Sequence, residues 1–169
     1  MSGALRKPGE LIDIDLSESC ERVVEGAFIT QSEQIFVLLT FERGRFDGIA
    51  AYRNKEVKRW RNWSRKEVHR IKTDGRLRWL AKYPMEGVGS FCTFLRAMLS
   101  EPVGLCLYGE EGFWVGTPVK VDRLKVRMRL VNQDADRVWV RSFPLNRIEW
   151  IEFTPYTRRF KKILAAHED

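Results

Sequence analysis

Residues 125–131, "KVRMRLV", alternate without a break: Val126, Met128 and Leu130 point one way, Lys125, Arg127 and Arg129 the other. That period of two predicts an antiparallel strand with one buried face. Similar runs predict four companions in the same half of the chain: "VGLCLY", "FWVGTPVKV", "RVWVRSF" and "RIEWIEF". The breaks between them carry turn chemistry. Gly109 and Gly112 frame "GEEG", "NQDAD" is rich in side chains that bond their own backbone, and "PLN" forms a short corner. A three- and four-residue period takes over before the strands, where Ser90 is placed to cap a helix bearing Phe91, Phe94, Leu95, Met98 and Leu99 on one face. Pro102 stops that helix, and Pro84–Gly89 in front of it reads as a linker. Thr154 and Pro155 open a closing helix with a stripe of Tyr156, Phe160, Ile163 and Leu164.

The first half follows the same order. "LIDIDL", "RVVEGAFIT", "QIFVLLTF", "IAAYR" and "VKRWR" predict five strands, and a helical stretch follows from Ser64. Gly26 stands where Gly116 stands later, and Tyr52, Val57 and Trp60 precede Phe143, Ile148 and Ile151 by a constant 91 residues. The repeat is one of pattern rather than identity. Because it aligns Trp60 with an apolar position, Trp60 is expected to be core.

Short strands with tight turns and an internal glycine are expected to curl rather than stay flat. The predicted fold class is mainly β with short helices: two tandem five-stranded small β-barrels, each with an associated helix, residues 1–83 forming one and 84–169 the other. Helix-then-five-strands resembles the Sm-like (SH3-like) small β-barrel of bacterial and archaeal RNA-associated proteins. "GTPVKVDRLKVRM" is similar to that family's glycine, apolar alternation and aspartate between strands two and three. "AAYRNKEVKRW" is similar to its second motif, with Arg53 in the arginine place and Asn54 in the glycine place, a position suited to left-handed backbone. The resemblance implies RNA association. No asparagine follows Asp122 and no glycine follows Arg141, and two linked barrels could cover each other's sheet edges. A monomer or dimer is therefore expected rather than a ring.

Charge sharpens this picture. The chain carries +7 overall, but residues 53–82 hold twelve bases against three acids, leaving −2 for the rest. A local excess of this kind suits a polyanionic partner, RNA or single-stranded DNA, although a basic run is equally a solvated face. The candidate nucleic-acid contacts are Arg53, Asn54, Lys55, Arg59, Arg61, Trp63, Arg65 and Lys66, with Trp63 the stacking candidate. The alternative is a protein-interaction adaptor or immunity-like regulator, expected to expose an apolar patch near Trp114, Trp139 or Trp150.

Catalysis finds no foothold in the sequence. His69 and His167 are the only histidines and lack partners that would make them bases or ligands. Cys20, Cys92 and Cys106 form neither a CxxC pair nor an even set. No phosphate loop or nucleophile elbow occurs. A non-enzymatic binding module without metal or cofactor is expected. Apolar runs such as Ile35–Leu39 are too short for a membrane span, and the beginning of the chain has no apolar stretch of signal-peptide length, so the cytoplasm is the expected setting.

Overall fold

A computed structural model describes residues 7–16, 23–42, 45–69, 75–110 and 112–167. The first half forms strands β1 (Leu11–Leu16), β2 (Val23–Gln31), β3 (Ile35–Glu42), β4 (Arg45–Arg53) and β5 (Val57–Asn62). Two short helices follow, α1 (Arg65–Val68) and α2 (Arg76–Lys82). The second half opens with α3 (Phe91–Ala97) and continues through β6 (Val103–Leu107), β7 (Phe113–Val121), β8 (Lys125–Val131), β9 (Val138–Pro144) and β10 (Ile148–Phe153). It closes with α4 (Pro155–Arg158) and α5 (Lys161–Ala165), two short helices where the sequence predicts one.

All ten strands belong to one sheet in the order β5-β1-β2-β3-β4-β10-β6-β7-β8-β9. The five-strand order therefore occurs twice, and the halves meet edge to edge where β4 pairs antiparallel with β10 (Trp150 opposite Tyr52, Phe153 opposite Ile49). This overturns the two predicted barrels. Closing each five-stranded unit would have joined β4 to β5 and β9 to β10. Instead β4 gives its outer edge to β10, and β5 and β9 are left as the edges of an open sheet. The composition of the strands explains the choice. Ile49, Ala50, Ala51 and Tyr52 are apolar in succession and all buried, as expected of a central strand covered on both faces. In β5 only Val57 is half-buried and the rest is exposed, as suits an edge strand.

Details of the two halves also correspond. Ser32 and Asp122, 90 residues apart, each close the turn after the second strand of their half. Ser32 Oγ accepts from the amides of Gln34 and Ile35 at 3.0 Å each, and Asp122 Oδ1 accepts from those of Leu124 and Lys125 at 2.9 Å each. These backbone bonds hold the Asp122 carboxyl below its usual pKa. Gly26 and Gly116 are where the second strand of each half crosses its neighbour most closely: a Cβ on either would strike a carbonyl, of Leu39 or of Arg129. The corners before β5 and β10 are 3-10 turns, Asn54–Glu56 and Leu145–Arg147. Among the described residues only Ser100 and Ala135 combine a side chain with positive φ, so Asn54 does not adopt the left-handed backbone expected of it.

One continuous core lies on the face covered by α3. Phe91, Phe94, Leu95 and Met98 pack there with Ile35, Val37, Leu39 and Ala51 of the first half and Val126, Met128, Leu130, Ile151 and Phe153 of the second. Ser90 caps α3 in a reciprocal box with Thr93. The predicted linker belongs to this core, since Met85 and Val88 are buried in it and Ser32 Oγ donates to the carbonyl of Gly89 at 2.7 Å. On the opposite face the first half buries Ile12, Ile14, Phe28, Phe36 and Leu38, and the second buries Val115 and Val131 under Phe160 and Leu164. No helix among the described residues is long and apolar enough to cross a membrane.

Candidate functional site

Strand β5 pairs on one side only, with β1, placing Arg61 opposite Asp13 and Arg59 opposite Asp15. Arg61 is taken up by this arrangement. Its guanidinium donates to Asp13 and, through Nη1 and Nη2, to the two carboxylate oxygens of Glu67 at 2.9 and 2.8 Å. Glu67 also accepts from the backbone N–H of Ser64 at 2.7 Å, completing the cap of α1. Its bonds to Arg61, and then to Ser64, draw the Glu67 carboxyl down to about 2, and Glu67 first, then Asp13, raise the Arg61 pKa. Trp63, the predicted stacking platform, instead donates Nε1–H to Asp13 at 2.5 Å and packs edge-on against Phe41. Trp60 corrects the expectation of burial, being 41% exposed on the open edge. Arg59, Arg65 and Lys66 remain exposed with no protein partner among the described residues.

Arg53, Asn54 and Lys55 lie apart from this edge, at the junction of the halves. Arg53 Nε and Nη2 donate to the carbonyls of Ile148 and Leu145, both at 2.6 Å, with the guanidinium 5.0 Å from the centre of the Phe91 ring. Asn54 Oδ1 accepts from Gln31 Nε2 at 2.7 Å. Lys55 Nζ sits 4.7 Å from the centre of the Tyr108 ring, whose hydroxyl donates to Glu56 at 2.5 Å. Burial first, and then that carboxylate, raise the Tyr108 pKa. Of the predicted contacts, Arg53, Asn54, Arg61 and Trp63 thus hold the structure together. A cleft of about 500 Å³ opens beside Arg53 and draws on both halves, with Gln34, Phe91, Arg123 and Asn146 also lining it. Arg123 and Asn146 are additions to the sequence reading. The aspartate turn that presents Arg123 was visible there, but its proximity to Arg53 was not.

Sequence reading also misses an arginine–aromatic cluster in the second half. Trp114 lies 6.4 Å from Trp139 and 5.9 Å from Phe143, centre to centre, and Arg141 covers Trp114 and Phe143 at 4.6 and 4.8 Å. Arg137 lies over Trp139 at 5.6 Å, and Arg159 over Tyr156 and Phe160 at 4.1 and 4.6 Å. The exposed Lys125 and Arg127 of β8 continue the positive character, with Lys120 of β7 beside Arg127. Averaging over the chain concealed this patch: residues 119–147 hold eight bases against three acids, yet acids elsewhere bring everything outside 53–82 to −2. Three of those acids, Glu25, Asp47 and Glu152, line a separate cleft of about 400 Å³ beside the β4–β10 junction.

Among the described residues no three His, Cys, Asp or Glu side chains are placed to hold a metal ion. His69 is exposed, and His167 Nδ1 lies 2.9 Å from the carbonyl of Ile163 in its own helical turn. Burial raises the Cys106 thiol pKa, which disfavours the nucleophilic thiolate. Cys20 falls outside the described residues. Comparison with protein-family models, with curated proteins and with solved structures found no match.

Proposed function

We propose that the protein is a non-catalytic binder of single-stranded nucleic acid. The observation that carries this reading is the edge formed by β5 and α1, where Arg59, Arg65 and Lys66 are exposed, with no protein partner among the described residues, next to a part-exposed Trp60. Exposed cations can neutralise phosphates, and the exposed part of an indole offers a base somewhere to stack.

The test is binding of a fluorescent twenty-nucleotide single strand across a salt series. Wild type is expected to lose affinity steeply as salt rises, and the triple variant Arg59→Glu/Arg65→Glu/Lys66→Glu to bind at least tenfold more weakly. Removing three phosphate contacts should lower the salt slope by roughly 2, at about 0.7 per contact on a single strand. Arg61 is left unchanged because it holds the edge together. Undiminished affinity in the folded triple variant, or no binding by wild type at low salt, would sink the reading.

One observation favours a second reading, a protein partner that adds a strand. The outer edge of β9 is unpaired, and Val140 on it is 47% exposed. A pull-down with and without nuclease separates the two, since only a protein partner survives digestion.

A further inference from the structure

The aromatic members of the cluster line a cavity of about 190 Å³ where β7 begins and β8 ends, against α4 and the residues after it. Phe113, Trp139, Tyr156 and Phe160 supply ring walls. Trp114 also lines it with its ring, while its Nε1–H is buried out of reach of the cavity's open space. Gln133 at the rim is exposed and adds an amide with no protein partner among the described residues. Arg137 and Arg159 each lay a guanidinium over a ring of the wall, that of Trp139 and that of Tyr156.

The cavity is smaller than the roughly 300–1,000 Å³ that drug-sized molecules fill. It suits one flat ring system with a hydrogen-bonding edge and a negative charge just outside. We infer that this is a nucleotide subsite: one base enters between the rings with its edge toward the Gln133 amide, while its phosphate meets Arg137 and Arg159. Arginines already resting on aromatic faces keep their N–H edges directed outward, so phosphate contact does not require them to leave the stack. The inference rests on the reading of the protein as a nucleic-acid binder, and places a base-reading element on the opposite end of the sheet from β5.

The test compares three probes at one salt concentration: a ten-nucleotide adenine strand, a ten-residue abasic strand with the same phosphates, and adenosine monophosphate as competitor. The base-containing strand is expected to bind roughly five- to 150-fold more tightly than the abasic one. Trp139→Ala, checked for folding by circular dichroism, should erase that ratio and leave abasic binding unchanged. Gln133→Leu, at an exposed position, removes the amide and should reduce the ratio severalfold; it carries the test if Trp139→Ala does not fold. Competition by the free mononucleotide at the concentration that displaces the strand would identify the ligand as a free nucleotide, and its absence would point to a strand. Equal binding of base-containing and abasic strands by wild type, or a ratio preserved in both folded variants, overturns the base site while leaving polyanion binding in place. No binding of either strand removes the nucleic-acid reading itself.

Discussion

Arg53 contributes at the junction of the halves what its position in a basic run does not suggest. Its two short donations reach carbonyls more than ninety residues away, and its planar face rests on Phe91. Hydrogen bonds from a charged donor contribute about 1.5–3 kcal/mol each, and truncating Arg53 removes both. Arg53→Ala is therefore expected to lower unfolding stability by about 2–4 kcal/mol in a urea titration. Arg53→Lys should recover only part of the loss, because an ammonium lacks the fork that reaches both acceptors. A change under about 1 kcal/mol would mean that solvent replaces these bonds at little cost. The same lesson covers Arg61 and Trp63. Their residue types were legible in the sequence as cations and aromatic faces, but their shared acceptor Asp13 lies about fifty residues earlier and only the β1–β5 register brings it alongside. Arg59, Arg65 and Lys66 form no ion pair with any acid among the described residues.

At the scale of elements, α1 is a single helical turn held by its own cap and by Arg61. Glu67 is the group on which both depend. Its folded-state pKa is depressed, from 4.5 to about 2, so its contribution is complete above about 4.5 and is lost as pH falls through about 2. A carboxyl titration followed by NMR should place Glu67 near 2, with the Ser64 amide and the Arg61 side chain shifting in the same window. In Glu67→Gln that transition should vanish while the sheet keeps its neutral-pH spectrum. A Glu67 midpoint near 4.5 would show that the pair with Arg61 does not persist in solution. Element type and order were largely readable, because alternation in β8 and the three- and four-residue spacing in α3 are local signals. The closing segment was read as one helix because its apolar stripe runs through the break: Phe160, capping α5, is itself buried and keeps the periodicity intact. The stretch before α3 was read as a linker from its Gly and Pro, yet Met85 and Val88 anchor it.

For the whole molecule, the duplication was legible and the closure was not. Both a barrel and an open sheet satisfy the same alternation in every strand; they differ only in which neighbour β4 takes. The available clue was the uninterrupted apolar run from Ile49 to Tyr52 set against the polar "VKRWR", which marks one strand as central and the other as an edge. The register of the junction makes a prediction about the two edges left over. Glu152 opposes Ala50 there, and shifting both by 91 residues puts Arg61 opposite Arg141. Like charges directly across a strand pair are destabilising, and Pro144 at the end of β9 has no N–H to donate. The chain is therefore expected to sediment as a monomer. Arg141→Glu should introduce concentration-dependent association between β9 of one copy and β5 of the next. A stable ring or oligomer of the wild-type chain in sedimentation velocity would contradict this account of the edges.

The β4–β10 junction also settles how the protein responds to dilution. Two separate half-length chains would need to find each other to cover the flank of β4, and their union would fade as they became scarce. Covalent tethering turns that encounter into an internal event at an effective concentration set by the connection rather than by abundance. A molecule present at a few copies per cell thus keeps its central flank covered as completely as one present at thousands.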